Sequence, residues 1–82
     1  MTRLEDHILY YRPTCPYCVK VLSFMDGADI ELEMHNIQDP AIAHELVTIG
    51  GKQQVPCLVI DGKALYESDD IIVYLGKAVR DS

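Results

Sequence analysis

The sequence predicts an α/β fold in which strands and helices follow the order β-α-β-α-β-β-α. Three observations lead to this prediction. An apolar run of strand type is followed at once by a helical pattern, this pair recurs, and a two-residue hairpin turn then precedes a last amphipathic helix. With 82 residues, the chain is expected to form a single domain spanning 1–82.

The first strand and the first helix are separated by a loop that contains a proline. Residues 7–11 are aromatic or β-branched enough to favour a short buried strand. Residues 12–14 are predicted to form a loop, because Pro13 disfavours a helical conformation just before it. Pro16 suits the first turn of a helix that ends at Gly27. The apolar stripe of this helix consists of Val19, Val21, Leu22 and Met25.

The second strand and helix show two different periodicities. Residues 30–37 alternate in polarity, which predicts a strand with one wet face. Its apolar-side positions are Ile30, Leu32, Met34 and Asn36. Asp39 is an N-cap candidate followed by proline at the first helical position, and Gly50-Gly51 ends the helix. The buried face of this helix is predicted to be Ile42, Leu46 and Ile49.

A hairpin and a capped helix complete the chain. Residues 55–60 form an apolar strand, and Asp61-Gly62 is a strong signal for a type I′ turn into a strand over 63–66. Ser68 is the expected N-cap of the last helix, with two aspartates in its first turn. The buried face of this helix is predicted to be Ile71, Ile72, Leu75 and Val79.

These elements predict a four-stranded mixed sheet flanked by three helices. The first three strands are linked through helices, so they are expected to be largely parallel with right-handed crossovers. The last two strands must be antiparallel, because only two residues join them.

Composition narrows the class of protein. The net charge is −6 and the seven Lys and Arg residues are scattered, which argues against nucleic-acid binding. No apolar run approaches the length of a membrane span. The odd number of cysteines and an N-terminus without a signal-peptide pattern predict a reducing, cytoplasmic setting rather than a secreted disulfide scaffold.

The motif Cys15-Pro16-Tyr17-Cys18 carries the chemistry. A cysteine just before the first helical turn faces unpaired N–H groups and the positive end of the helix dipole, which favour a thiolate. The thiolate is the nucleophilic form, and Cys18 is close enough in sequence to form a disulfide with it. Arg12 is expected to add positive potential. The motif therefore predicts dithiol–disulfide exchange with Cys15 as the nucleophile.

The cysteines are not expected to bind a metal or to include a third redox thiol. A zinc site normally needs four ligands, and the three histidines lie on separate predicted elements without ligand spacing, so no metal is expected. Cys57 is expected to be a small buried apolar residue rather than a third redox thiol.

With this order of elements, the Cys-Pro-Tyr-Cys motif and Val55-Pro56 before a strand, the chain resembles the thioredoxin fold, and glutaredoxins in particular. The resemblance covers residues 7–79. The Glu67-Ser68 pair and residues 52–56 also resemble the N-terminal domain of glutathione transferases.

The resemblance implies glutathione as reductant and co-substrate, without a tightly bound cofactor. Cys18 would resolve a mixed disulfide on Cys15, or it is an inert thiol and glutathione does so. Pro56 would follow a cis peptide bond and turn the Val55 backbone toward the bound peptide. Ser68 would bind a carboxylate at the helix N-terminus, with Glu67 or Asp69 receiving the ammonium group. The implied glutathione contacts are Arg12, Tyr17, Gln54, Val55, Pro56, Glu67, Ser68 and Asp69.

The expected activity is that of a monomeric oxidoreductase that reduces protein disulfides and glutathione mixed disulfides. Two alternatives remain open. One is a transferase-like glutathione-binding module or an iron–sulfur cluster carrier. The other is a redoxin with the same chemistry that receives electrons from thioredoxin reductase.

Overall fold

The computed structural model describes residues 2–80 and contains the predicted elements in the predicted order. The strands are β1 (Thr2–Tyr11), β2 (Ile30–Asn36), β3 (Cys57–Ile60) and β4 (Lys63–Leu65). The helices are α1 (Pro16–Gly27), α2 (Pro40–Gly50) and α3 (Ser68–Arg80). Strand β1 begins five residues earlier than predicted and changes register along β2 near Asp6, which has a positive φ of 59°.

The four strands form one mixed sheet in the order β2-β1-β3-β4. Strand β1 is parallel to β2, whereas β3 is antiparallel to both β1 and β4. The prediction that the first three strands are largely parallel is therefore wrong for β3.

The reason lies in the connection from α2 to β3. Tyr11 at the end of β1 pairs with Asn36 at the end of β2, and Tyr10 pairs with Cys57 at the start of β3. Helix α2 spans only about 16 Å, and the six residues after it reach up to about 20 Å. The chain thus re-enters the sheet at the end where it left β2, and the crossover rule for parallel strands does not apply.

The sheet has an apolar cluster on each face. Helices α1 and α3 pack on one face with the side chains of Leu9, Val21, Met25, Ile30, Leu32, Leu58, Ile71 and Leu75. Helix α2 covers the other face, with Tyr10, Ile37, Leu46, Cys57 and Val59. Successive residues of β1 and β3 alternate between the two faces, so the sheet is buried on both sides at its centre.

Most predicted caps and turns are present. Asp39 caps α2 by accepting a hydrogen bond from the Ala41 N–H at 3.0 Å, and Gly51 ends that helix with a φ of 84°. Asp61 and Gly62 both have positive φ, as a type I′ turn requires. Three predicted core positions are instead exposed: Val19, Met34 and Ile49.

Within residues 2–80, no helix has the length and apolar character needed to span a membrane.

Candidate active site

The thiol pair lies at the start of α1, just after the loop that follows β1. Cys15 is the N-cap of this helix, in an extended conformation, and Pro16 occupies the first helical turn. The Cys15 N–H donates to the Arg12 carbonyl at 3.1 Å, which closes the loop. Cys15 is partly exposed and Cys18 is fully buried, and both are free thiols. The local sequence thus presents one sulfur to solvent and hides the other.

Opposing effects act on Cys15, and their balance lowers its pKa below the ordinary value. Partial burial is the largest single effect and acts to raise the pKa, but it is outweighed. The Cys18 N–H and thiol, the Tyr17 N–H and the Arg12 guanidinium all stabilise negative charge on the Cys15 sulfur. Within the described chain this sulfur makes no capping hydrogen bond of ordinary geometry. The stabilisation therefore comes from several neighbouring dipoles and one cation.

The pKa values of the two buried thiols, Cys18 and Cys57, are raised instead of lowered. Burial raises the pKa of Cys18 to about 11, and the nearby Cys15 sulfur also acts to raise it. The Arg12 N–H, 3.5 Å from the Cys18 Sγ, acts to lower this pKa but does not outweigh burial. Burial likewise raises the pKa of Cys57 to about 11. Hydrogen bonds from the Leu65 N–H and the Tyr66 hydroxyl act to lower this pKa but are outweighed. Of the three thiols, Cys15 is thus the one whose pKa is lowered, and it ionises most readily.

A cleft of about 230 Å³ opens beside Tyr17. It lies between α1, the segment before β3 and the start of α3. The residues that line it are Tyr17, Gln54, Val55, Pro56, Tyr66, Glu67, Ser68 and Asp69. The Val55–Pro56 peptide bond is cis, as the resemblance implied. All the glutathione contacts expected from the sequence except Arg12 therefore surround one cleft.

Arg12 is not among the residues that line this cleft. Its side chain is exposed, and its charge acts on the thiol pair instead. The contact between Arg12 and glutathione that the resemblance implies stays a prediction.

The start of α3 differs slightly from the prediction. The helix begins at Ser68, and the Glu67 carbonyl accepts the first helical hydrogen bond, from the Ile71 N–H at 2.9 Å. Glu67 rather than Ser68 is thus the N-cap residue. Asp69 forms an ion pair with Lys20 of α1, so part of its charge is already compensated.

From the sequence, Tyr66 is expected to pack in the sheet at the end of the strand over 63–66, and the structure places it in the cleft wall. Its hydroxyl donates to the Lys52 carbonyl at 3.1 Å, and the Lys52 Nζ lies 5.0 Å from the centre of its ring. A tyrosine at the end of a strand is usually a packing residue. The neighbouring Glu67-Ser68 pair was the signal that could have assigned it to the cleft.

Other polar groups lie outside this region. His7 bonds the Tyr74 hydroxyl at 2.7 Å, and His35 lies between Glu33 and Glu45, at 2.8 and 3.3 Å. A larger, polar hollow of about 410 Å³ surrounds the β1 bulge and the β3–β4 turn, at the end of the sheet away from the thiols. Among the described residues, no group of three or more His, Cys, Asp or Glu side chains is arranged to hold a metal ion.

Comparison with known proteins identifies the family of the chain. The family model described as glutaredoxin matches residues 8–65. Glutaredoxin 1 of Rickettsia prowazekii (strain Madrid E) is 30% identical over 71 residues, which cover 83% of this chain and 75% of that protein. Glutaredoxin 1 of Rickettsia typhi (strain ATCC VR-144 / Wilmington) is also 30% identical over 71 residues, covering 83% of this chain and 68% of that protein.

Solved structures share the fold at lower identity. Glutathione transferase Omega 3C from Trametes versicolor superposes with a TM-score of 0.80 and 23% identity, over 94% of this chain and 35% of that one. A buckwheat glutaredoxin–glutathione complex superposes with a TM-score of 0.68 and 19% identity, over 90% of this chain and 71% of that one. The fold is thus thioredoxin-like, and the matches in sequence together with the thiol pair ahead of α1 assign the chain to the glutaredoxin family.

Proposed function

We propose that this protein is a glutathione-dependent thiol–disulfide oxidoreductase in which the Cys15 thiolate is the nucleophile. Membership of the glutaredoxin family supports a thiol oxidoreductase in general. The observation that carries the specific assignment is the contrast between the two motif sulfurs. Cys15 is accessible and its pKa is lowered by its neighbours, whereas Cys18 is buried and its pKa is raised to about 11.

The first step is attack on a mixed disulfide between a protein and glutathione. The Cys15 thiolate forms a bond to the glutathione sulfur, and the bond between that sulfur and the substrate sulfur breaks. The substrate leaves as a thiolate and takes up a proton from water. The cysteine sulfur keeps its position at the N-terminus of α1, where the helix dipole favours the thiolate again as leaving group.

Two routes then restore the reduced enzyme. A second glutathione thiolate attacks the glutathione sulfur on Cys15, which releases glutathione disulfide and the Cys15 thiolate. Alternatively, Cys18 attacks the Cys15 sulfur, releases glutathione and leaves an intramolecular disulfide that two further glutathione molecules reduce. The second route requires Cys18 to lose its proton first, and its raised pKa makes that unfavourable. We expect the first route to dominate for glutathione mixed disulfides.

The cleft supplies groups that match the glutathione backbone. The Val55 backbone lies in the cleft wall and is suited to pair with an extended peptide, as an added strand does. Ser68 and the N-terminus of α3 suit a carboxylate. Because Lys20 already pairs with Asp69, Glu67 is the better partner for the ligand's ammonium group.

The electron donor provides the test of this proposal. The oxidised protein is offered glutathione with glutathione reductase, or thioredoxin reductase with NADPH, and formation of free Cys15 and Cys18 thiols is followed by mass spectrometry. We expect glutathione to reduce the protein and thioredoxin reductase alone to leave it oxidised. Reduction by the reductase and not by glutathione would contradict the proposal.

The assembly and the location of the protein are proposed from its sequence. A single domain over residues 1–82, a monomeric state and action in the cytoplasm remain predictions from the sequence. Disulfide-containing and glutathionylated proteins are the proposed partners.

A further inference from the structure

Tyr66 connects three parts of the fold. It follows β4 directly, it lines the cleft next to Glu67, and it contacts the loop that follows α2. Its hydroxyl donates to the Lys52 carbonyl at 3.1 Å, and its ring lies under the Lys52 ammonium group, 5.0 Å from the ring centre. Tyr66 therefore holds both the backbone and the side chain of one residue in this loop.

The end of α2 leaves room for this contact. A Cβ atom added at Gly50 would lie 1.9 Å from the Tyr66 hydroxyl oxygen and 2.9 Å from the carbon that bears it. Gly51 has a different reason to be glycine, since its φ is 84° and a Cβ there would meet nothing within 4 Å. The first of the two glycines thus serves the placement of Tyr66, and the second serves the turn.

The held loop leads directly into the cleft wall. Gln54 and Val55 follow Lys52 by two and three residues, and both line the cleft. The loop itself is exposed. Its hydrogen bond to Tyr66 fixes the loop's direction just before the backbone that is suited to pair with a peptide ligand.

We infer that Tyr66 is a positioning residue for glutathione, which holds the loop at residues 51–54 so that the Val55 backbone meets the ligand in the correct orientation. This inference rests on the proposed function. Tyr66 acts on the backbone before β3 and not on a reacting sulfur. Its loss should therefore weaken binding of the glutathione moiety and leave the chemical step on Cys15 unchanged.

The test compares two variants that each remove one hydroxyl. Tyr66→Phe removes the bond to Lys52 and the interaction of the hydroxyl with the Cys57 thiol, and it keeps the ring. Tyr74→Phe removes the bond to His7 on the far side of the sheet from α2. Amide hydrogen exchange at Gly51, which precedes Lys52 and whose N–H donates to the Val47 carbonyl at 2.8 Å, reports the loop. KM and kcat are measured for a glutathionylated peptide. For Tyr66→Phe we expect exchange and KM each to rise about fivefold, the size of one hydrogen bond, with kcat within about twofold. Tyr74→Phe should leave all three near wild type.

The outcomes separate this inference from the proposed function. Unchanged exchange at Gly51 in Tyr66→Phe overturns the inference, whatever the enzyme does with glutathione. Raised exchange with an unchanged KM, or equal effects in both variants, also overturns it. A wild-type protein that is inactive on the glutathionylated peptide contradicts the proposed function, and the exchange measurement then still decides whether Tyr66 holds the loop.

Discussion

Replacing Cys15 by serine is expected to abolish the reduction of glutathione mixed disulfides, so that the rate falls to that of the uncatalysed exchange. A serine hydroxyl stays protonated near neutral pH and does not attack a disulfide sulfur. The buried thiols cannot substitute, because the pKa values of Cys18 and Cys57 are raised to about 11 by burial. The measurement is the turnover of a glutathionylated peptide, coupled to glutathione reductase.

Cys18→Ser is the matched control in the same motif. We expect this variant to retain activity on the mixed disulfide, because glutathione itself can resolve the adduct on Cys15. Its activity on a protein disulfide, in which Cys18 must resolve the adduct, should fall much further. Equal loss of activity from both variants on the glutathionylated peptide would instead make intramolecular resolution obligatory and contradict the route proposed here.

Replacing Gly50 by alanine is expected to give the largest loss of stability among single-methyl changes at the glycines. The new Cβ would lie 1.9 Å from the Tyr66 hydroxyl oxygen, so the ring must move and lose its contacts to Lys52. Overpacking of this kind costs about 1–3 kcal/mol. In a domain of this size each kcal/mol lowers Tm by about 4–8 °C, which thermal unfolding followed by circular dichroism measures directly.

Gly27→Ala supplies the control for the backbone. Gly27 is also the last residue of its helix, and a Cβ there meets nothing within 4 Å, so the free energy of unfolding should change by less than about 1 kcal/mol. In a Tyr66→Ala background, the cost of Gly50→Ala should fall by more than half, because the contacts with the Tyr66 ring are gone and only the 3.2 Å contact of the new Cβ with the Ala64 Cβ remains. A loss of Tm in that background as large as in the wild type would show that the contact with Tyr66 is not the cause.

Local signals in the sequence were enough to predict the elements and most of their ends. Asp39 before Pro40, Gly51 after α2, and Asp61-Gly62 each determine a short-range backbone conformation, and each has the expected geometry. The direction of β3 depends on something different. The direction of β3 follows from the point at which α2 and the six residues after it return the chain to the sheet. No residue pattern within β3 encodes this direction.

The site shows the same division between local and long-range information. The N-cap position of Cys15 is local and was predicted, and the pKa contrast with Cys18 follows from which sulfur the helix buries. Tyr66 was missed because its place in the cleft depends on Gly50 and Lys52, residues in a different part of the chain. The resemblance implied Arg12 as a glutathione contact, and this residue does not line the cleft.

The proposed function depends most on the ionisation of the Cys15 thiol. The direct measurement is the rate of alkylation of Cys15 by iodoacetamide as a function of pH, with the modified residue identified by mass spectrometry. Because the pKa of Cys15 is lowered, the thiolate forms at lower pH than in a peptide, and the rate should rise and level off with a midpoint below the ordinary cysteine value. Cys18 and Cys57 should stay unmodified over that range. A midpoint at or above the ordinary cysteine value would contradict the account.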